Sequence, residues 1–144
     1  MAEDNQRGWL WRGWVAEAML RLALARLLVT WVPLRRWSGL LGPINLAPGA
    51  GGGANDAAQL LARAVTRGAA RLPFETKCLP RAIALHTFLR RSGHTSQLVI
   101  GVLGSSTRAS KQGSLEDLHA WVETQGEIVI GALNEPFHPL VRFG

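Results

Sequence analysis

The chain has 144 residues, a formal net charge of +6, 47% hydrophobic residues and 18% charged residues. This length allows one compact domain with its own core and excludes a large modular enzyme. The hydrophobic fraction excludes a disordered or fibrous chain.

The charge is unevenly distributed along the chain. Residues 1–111 hold 15 Lys and Arg against 5 Asp and Glu, whereas residues 112–144 hold one Arg against 5 acidic residues. A basic body attracts anionic partners of several kinds through its summed field. The aromatic residues beyond the N-terminal region are scattered and form no pattern of a base-stacking platform. We therefore predict no nucleic-acid partner.

A single cysteine, Cys78, excludes an internal disulfide and an all-cysteine zinc site. No two of the four histidines have metal-ligand spacing on one face, so we predict neither a metal nor another cofactor. The acidic start of the chain lacks the basic region of a signal peptide. These features predict a cytoplasmic protein.

The N-terminal region predicts one long helix from Trp9 to Val32, ended by Pro33. Its most apolar stretch, Val15 to Leu34, is interrupted by Glu17, Arg21 and Arg26, and these charges make a membrane-spanning helix costly. Since the helix is apolar on most sides, it needs a cover. We favour packing on the rest of the domain, or on a partner subunit, over contact with a membrane surface.

A segment rich in glycine and proline, Leu40 to Gly53, follows this helix and predicts a flexible linker. The linker separates two parts of different character. We predict an N-terminal helical arm over residues 1–45, a linker over 46–55 and a body over 56–144.

The body predicts helices first and strands afterwards. A tight turn at Gln125 and Gly126 joins the last two strands. The predicted elements are helices Ala57–Arg71 and Cys78–Arg91, the second ended by Gly93, and strands Gln97–Leu103, Leu118–Thr124 and Glu127–Ala132. This order is typical of an α+β fold, with helices segregated from a small antiparallel sheet.

Cys78 begins the second helix of the body, because Pro80 is favoured in a first helical turn. A thiol becomes a good nucleophile when it ionises, and free backbone N–H groups at a helix start favour the thiolate. Lys77 and Arg81 add positive charge beside it. The alternative is the commonest fate of a free cysteine, a small buried residue.

A cysteine nucleophile usually has a histidine partner. His86 lies eight residues beyond Cys78 on the same helix and cannot reach back, and His94 caps that helix or faces solvent. His138 lies in the tail between prolines, with no scaffold to fix it. His119 lies on a strand of the hairpin, where a rigid element could present an imidazole to a helix end. It is the best candidate.

A third group usually orients the imidazole. With a two-residue turn and a regular hairpin, Trp121 pairs with Ile130 and His119 pairs with Ala132. An alanine has no polar group for this task.

Two other residues could supply the orienting group. Asn134 lies two residues beyond Ala132 on the same face if the strand continues, and Glu123 lies on the histidine's own strand and face. The sequence does not choose between them.

Six motifs in this order and spacing resemble the stand-alone leader peptidase of lasso-peptide biosynthesis, a transglutaminase-like cysteine protease. The resemblance covers residues 55–142 and, more loosely, the arm that ends in Pro33 to Trp37. The motifs are Leu72-Pro73-Phe74, Cys78-Leu79-x-Arg81-Ala82, Leu89-Arg90-Arg91-x-Gly93-His94, Ile100-Gly101-Val102, His119-Ala120-Trp121-Val122-Glu123 and Pro139-Leu140.

The resemblance implies a papain- or transglutaminase-like α+β fold in which the helix that bears Cys78 packs on a small antiparallel sheet. It implies Cys78 as nucleophile and His119 as general base. The implied substrate is a ribosomally made precursor peptide that loses its leader. The implied partners are a leader-recognition protein in trans and an ATP-dependent macrolactam cyclase.

The sequence departs from the family at one position. The family usually has an aspartate directly after the Ile-Gly of the last strand, and here Ile130 and Gly131 are followed by Ala132. This departure keeps a second hypothesis open, a catalytically weak or inactive scaffold subunit of the maturation complex.

Overall fold

A computed structural model describes residues 2–44, 55–103, 118–132 and 137–144. Within these ranges the helices come first and the strands follow, so the predicted α+β class with a small antiparallel sheet is confirmed. The helices are α1 (Ala2–Trp31), α2 (Leu34–Trp37), a 3₁₀ turn (Ser38–Leu41), α3 (Asp56–Arg71) and α4 (Cys78–Arg91), and the strands are β1 (Gln97–Leu103), β2 (Leu118–Thr124), β3 (Glu127–Ile130) and β4 (Phe137–Phe143).

Helix α1 begins earlier than predicted and ends just before Pro33, as predicted. It packs on α3 and α4, and its buried side recurs every three or four residues as expected for one face of a helix. The residues of that side are Val15, Ala18, Leu22 and Ala25. A Cβ added at Gly68 of α3 would lie 3.2 Å from Met19 Cγ. A side chain at Gly68 would therefore be crowded against α1, and α1 shares one core with the body. The arm, linker and body boundaries stay a prediction, and nearly all of the linker lies outside the described residues.

The ends of α3 and α4 follow local rules. The side chain of Asn55 accepts a hydrogen bond from the Ala58 N–H at 2.7 Å, which is an N-cap for α3. Gly93 has a φ of +82° after the end of α4, and the N–H of His94 donates to Leu89 O at 2.9 Å. The predicted glycine terminator is confirmed.

The four strands form an antiparallel sheet in the order β3-β2-β1-β4. Strands β1 and β2 have the predicted bounds. The predicted tight turn is also confirmed, because Gln125 and Gly126 have φ values of +50° and +82°, the pattern of a type I′ hairpin turn.

The prediction that His138 lies in a tail without a scaffold is wrong. His138 lies in β4, where it pairs with Val102 of β1. Pro139 has no N–H to donate, which argued against a strand in the sequence. Strand β4 lies at the sheet edge, and its register with β1 shifts between Ile100 and Gly101, so the proline is accommodated.

The predicted pairing of Trp121 with Ile130 is also wrong. The register between β2 and β3 shifts, and Ile130 pairs with Val122 instead. One extra residue in β3 therefore bulges from the hairpin, which the turn sequence alone does not encode. As a result, Ala132 is no longer the expected cross-strand partner of His119.

The two faces of the sheet have different surroundings. One face packs against the helices in a single core, and residues of this face include Leu98, Ala120, Val122 and Phe143. Side chains alternate along a strand, so His119, Trp121 and Glu123 of β2 share the other face.

Candidate active site

Cys78 is the first residue of α4 and is half-buried against the core that the helices form. Lys77, the N-cap residue, makes no side-chain cap hydrogen bond. The first N–H groups of a helix have no partner within the helix. The start of α4 can therefore offer backbone donors and the positive end of the helix dipole to an anion beside the thiol.

The loop that leads into α4 is held from two sides. The Arg26 guanidinium of α1 stacks 4.3 Å from the centre of the Phe74 ring and donates to Glu75 O at 3.1 Å. The Arg81 Nε donates to Thr76 Oγ1 at 3.1 Å. These contacts fix where α4 begins, and with it the position of the thiol.

His119 is the second residue of β2, and its Nε2 lies 2.7 Å from Gly131 O. A carbonyl oxygen can only accept, so Nε2 carries the hydrogen in this contact. In a neutral imidazole the other nitrogen, Nδ1, is then the one that can accept a proton.

Gly131 meets a strict steric requirement. Its φ is +86°, and an added Cβ would lie 2.8 Å from Ala120 O and 2.9 Å from Trp121 Cβ. Only glycine fits here without a shift of the backbone. Sequence reasoning assigns no orienting role to Gly131. The signal for such a role is a glycine directly after a strand rich in β-branched residues.

The face of β2 that bears His119 carries a chain of contacts. The His119 and Trp121 rings stack with centroids 6.2 Å apart. The Trp121 Nε1–H donates to Glu123 Oε1 at 2.8 Å, and Arg142 Nη1 donates to Glu123 Oε2 at 2.6 Å. In these contacts the Glu123 carboxylate holds the tryptophan that supports the imidazole. Asn134, the other predicted candidate for the orienting role, lies outside the described residues.

From the lengths of α4 and β1, we infer that Cys78 and His119 lie at the same end of the helix and sheet layers. Helix α4 has 14 residues and β1 has 7, which correspond to lengths of about 21 and 23 Å. A short turn reverses the chain between them, so the start of α4 lies at the end of β1. His119 pairs with Gly101 near that end of β1.

The two side chains belong to different layers, Cys78 to a helix and His119 to a strand. Helix α4 packs on β2, and Ala120 faces the helical core, whereas His119 occupies the alternate position of the strand. Among the described residues no hydrogen bond joins the thiol to the imidazole. Catalytic hydrogen bonds are often long in unliganded enzymes and tighten in complexes with substrate.

His86 is fully buried and has a structural role. Its Nε2–H donates to Leu41 O at 2.7 Å, and the Ser96 hydroxyl donates to its Nδ1 at 2.8 Å. Burial lowers the pKa of His86 below its ordinary value of 6.5, with a further lowering by the charge of Arg90 and an opposing effect of the Leu41 hydrogen bond. The residue joins the 3₁₀ turn, α4 and the entry to β1.

Within the part of the chain that the structure describes, no group of three or more His, Cys, Asp and Glu side chains could hold a metal ion. In the same ranges, no helix combines the length and the apolar character needed to cross a membrane.

A model of the transglutaminase-like superfamily matches residues 19–142. The chain belongs to the transglutaminase-like superfamily. The matched region contains Cys78, His119 and the second half of α1. The transglutaminase-like superfamily includes cysteine peptidases and transferases. No curated protein and no solved structure matches the chain.

Proposed function

We propose that this protein is a cysteine endopeptidase that removes the leader from a ribosomally made lasso-peptide precursor. One observation carries the proposal: the helix that begins at Cys78 packs on the strand that bears His119, an imidazole whose Nε2–H is held by the Gly131 carbonyl. Membership of the transglutaminase-like superfamily supports cysteine chemistry. The motif resemblance to lasso-peptide leader peptidases supports the substrate class.

In the first step, His119 Nδ1 accepts the proton of the Cys78 thiol. The thiolate attacks the carbonyl carbon of the last leader residue, and an S–C bond forms. The oxygen of the tetrahedral intermediate becomes negatively charged, and backbone N–H groups at the start of α4 donate to it.

In the second step, the tetrahedral intermediate collapses and the C–N bond breaks. The imidazolium of His119 returns its proton to the departing core amine, and the leader stays on Cys78 as a thioester. Water then attacks the thioester as His119 takes one of its protons. The leader leaves with a free carboxylate, and the thiol is restored.

The Gly131 carbonyl orients the imidazole in this mechanism. A carbonyl is a neutral acceptor, so it fixes the ring but stabilises the imidazolium less than a carboxylate does, because charge-assisted hydrogen bonds are roughly twice as strong. We therefore expect slower turnover than in relatives with an aspartate after the Ile-Gly of the last strand.

The product explains the proposed partners. Cleavage frees the amine of the core peptide, which is the nucleophile that an ATP-dependent macrolactam cyclase needs. A separate leader-recognition protein delivers the precursor in trans, and we place the reaction in the cytoplasm.

The test uses mass spectrometry to measure release of the leader from a precursor peptide that is incubated with the recognition protein and this chain. Cys78→Ala is expected to abolish release. Undiminished cleavage by this variant would reject the assignment. Loss of activity in His119→Ala, with an unchanged circular dichroism spectrum, would support the role of His119 as general base.

The second candidate function is a scaffold that presents the precursor without cutting it, and Ala132 is the observation that favours it. Reaction of the Cys78 thiol with iodoacetamide at neutral pH separates the two. In a peptidase, His119→Ala slows alkylation because the base that ionises the thiol is lost. In a scaffold, the wild type and the variant react at the same rate.

A further inference from the structure

The face of α1 that points away from α3 and α4 is apolar and uncovered within the described chain. Trp9, Leu20, Leu24, Leu27 and Trp31 have exposed fractions of 51% to 80%. An exposed apolar patch of this extent on a folded protein marks an interaction surface.

These residues belong to a longer series on one side of the helix, which we call the outer stripe. The outer stripe consists of Trp9, Gly13, Ala16, Leu20, Leu24, Leu27 and Trp31. Successive residues of the stripe are separated by four, three, four, four, three and four positions. The average separation is about 3.7 residues, close to the 3.6 residues of a helical turn. The stripe therefore stays on one face of a straight helix over about 33 Å.

The outer stripe is symmetric about Leu20 in position and complementary in size. When the helix is reversed about this residue, each small residue falls opposite a large one and Leu20 falls opposite itself. The opposed pairs are Trp9 with Trp31, Gly13 with Leu27, and Ala16 with Leu24. We propose that α1 packs antiparallel against α1 of a second copy of this chain, across a two-fold axis at Leu20.

Gly13 supports this pairing independently of the exposed residues. Glycine is unfavourable inside a helix, and a Cβ added at Gly13 would meet nothing within 4 Å in its own chain. Packing within the chain therefore does not require a glycine at this position. Close packing against Leu27 of the second copy does require a glycine at position 13.

The charges at the two ends of the helix agree with the antiparallel direction. Glu3 and Asp4 lie in the first turn of α1, and Arg35 and Arg36 lie just beyond its end in α2. In the antiparallel pair the acidic end of one copy lies near the basic residues of the other. A parallel pair would bring like charges together and leave Gly13 opposite Gly13.

An anionic membrane would also accept a helix rich in tryptophan, leucine and arginine. A bilayer surface is fluid, however, and does not require small residues at positions that mirror large ones. The size complementarity along the outer stripe favours a second copy.

The first test is sedimentation velocity of the full chain over a concentration series. We expect the wild type to form dimers and Gly13→Leu to weaken dimerisation at least tenfold, because two leucines then compete for one space. Gly8→Leu is the matched control: Gly8 lies about 120° from the outer stripe on the helix, and its added Cβ also meets nothing within 4 Å. Both changes favour the helix, so thermal unfolding should show that both variants fold.

The second test restores the complementarity. Leu27→Ala added to Gly13→Leu is expected to recover most of the lost affinity, since the small and large residues are exchanged. In a Cys78→Ser background, a mixture of Trp9→Cys and Trp31→Cys chains should form a disulfide-linked dimer that neither variant forms alone. A monomer at all concentrations, a dimer insensitive to Gly13→Leu, or a monomer that floats with phosphatidylglycerol vesicles would overturn the proposal.

Discussion

His119 Nε2 lies 2.7 Å from the carbonyl oxygen of Gly131. The backbone that follows the bulged hairpin thus holds the imidazole. A backbone acceptor cannot be removed by a side-chain deletion, but it can be moved by a change in φ. The role of Gly131 can therefore be tested through its conformation.

Gly131→Ala is expected to lower kcat by a factor of about 100 or more and to destabilise the fold by about 2 kcal/mol or more, because a Cβ at positive φ would meet backbone at 2.8 Å. Gly93→Ala is the matched control. Gly93 has a similar φ of +82°, and its added Cβ meets nothing within 4 Å. The control should lose about 1 kcal/mol by urea unfolding and keep its leader-release rate. Equal activity of the two variants would reject the orienting role of the carbonyl.

Glu123→Ala is expected to destabilise the protein by about 2–3 kcal/mol, because it removes the carboxylate that accepts from Arg142 and from the Trp121 indole at a site where both charged side chains are about one-eighth exposed. Glu123→Gln keeps one acceptor and should lose less. Glu17→Gln, in the more exposed pair with Arg21, should cost only about 0.3–0.5 kcal/mol. Urea unfolding measures all three.

The same variants distinguish two roles for Glu123. If it acts through Trp121, Glu123→Gln retains most of the kcat because the hydrogen bond to the indole remains. If the carboxylate instead orients His119 directly, Glu123→Gln loses nearly as much kcat as Glu123→Ala. Asn134→Ala tests the other candidate in the same assay.

Stability should fall as the pH falls below about 6.5, because burial lowers the pKa of His86 in the folded protein. The unfolded chain then binds a proton at this residue that the folded chain does not. The contribution of neutral His86 to the free energy of unfolding is therefore present in full above pH 6.5 and is lost on acidification. The slope for one proton is at most about 1.4 kcal/mol per pH unit.

Urea unfolding between pH 5 and pH 8 measures this slope. His86→Gln should be less stable at pH 8 and should have a shallower pH dependence than the wild type. His94→Gln, a change at a half-buried histidine beside Asn55, is the control and should keep the wild-type slope. A wild-type slope in His86→Gln would show that other groups cause the acid sensitivity.

Arg26→Ala should lower kcat several-fold with a loss of stability of about 1 kcal/mol or less. The guanidinium holds Phe74 and Glu75 in the loop before Cys78, so its removal lets the thiol move. Arg12→Ala changes an exposed arginine on the same side of α1 and should leave kcat unchanged. Equal kcat values for both variants and the wild type would show that this clamp does not position the nucleophile.

Much of the fold follows from local sequence signals. Pro80 and Gly93 mark the two ends of α4. Alternating apolar and polar residues on either side of the Gln125-Gly126 turn define the hairpin, and these elements have nearly the predicted bounds. Strand β4 was missed because Pro139 argues against a strand until its place at the sheet edge is known. The local rule failed where the tertiary position of the residue decided the outcome.

The candidate site was predicted in part for the same reason. Residue type and local element indicate Cys78 at a helix start and His119 on a strand, and the structure places them there. The contact between His119 and Gly131 depends on a bulge between two strands, which no single segment encodes. Every residue has a backbone carbonyl, so residue type does not indicate which carbonyl accepts from the imidazole.

The most direct test of the central claim is a rapid acid quench of this chain mixed with the precursor peptide and recognition protein, followed by intact mass spectrometry. We predict a transient adduct of the leader acyl group on Cys78 that hydroxylamine removes, as expected for a thioester. The adduct and free leader should both be absent with Cys78→Ala. Release of leader by Cys78→Ala at the wild-type rate would contradict the account.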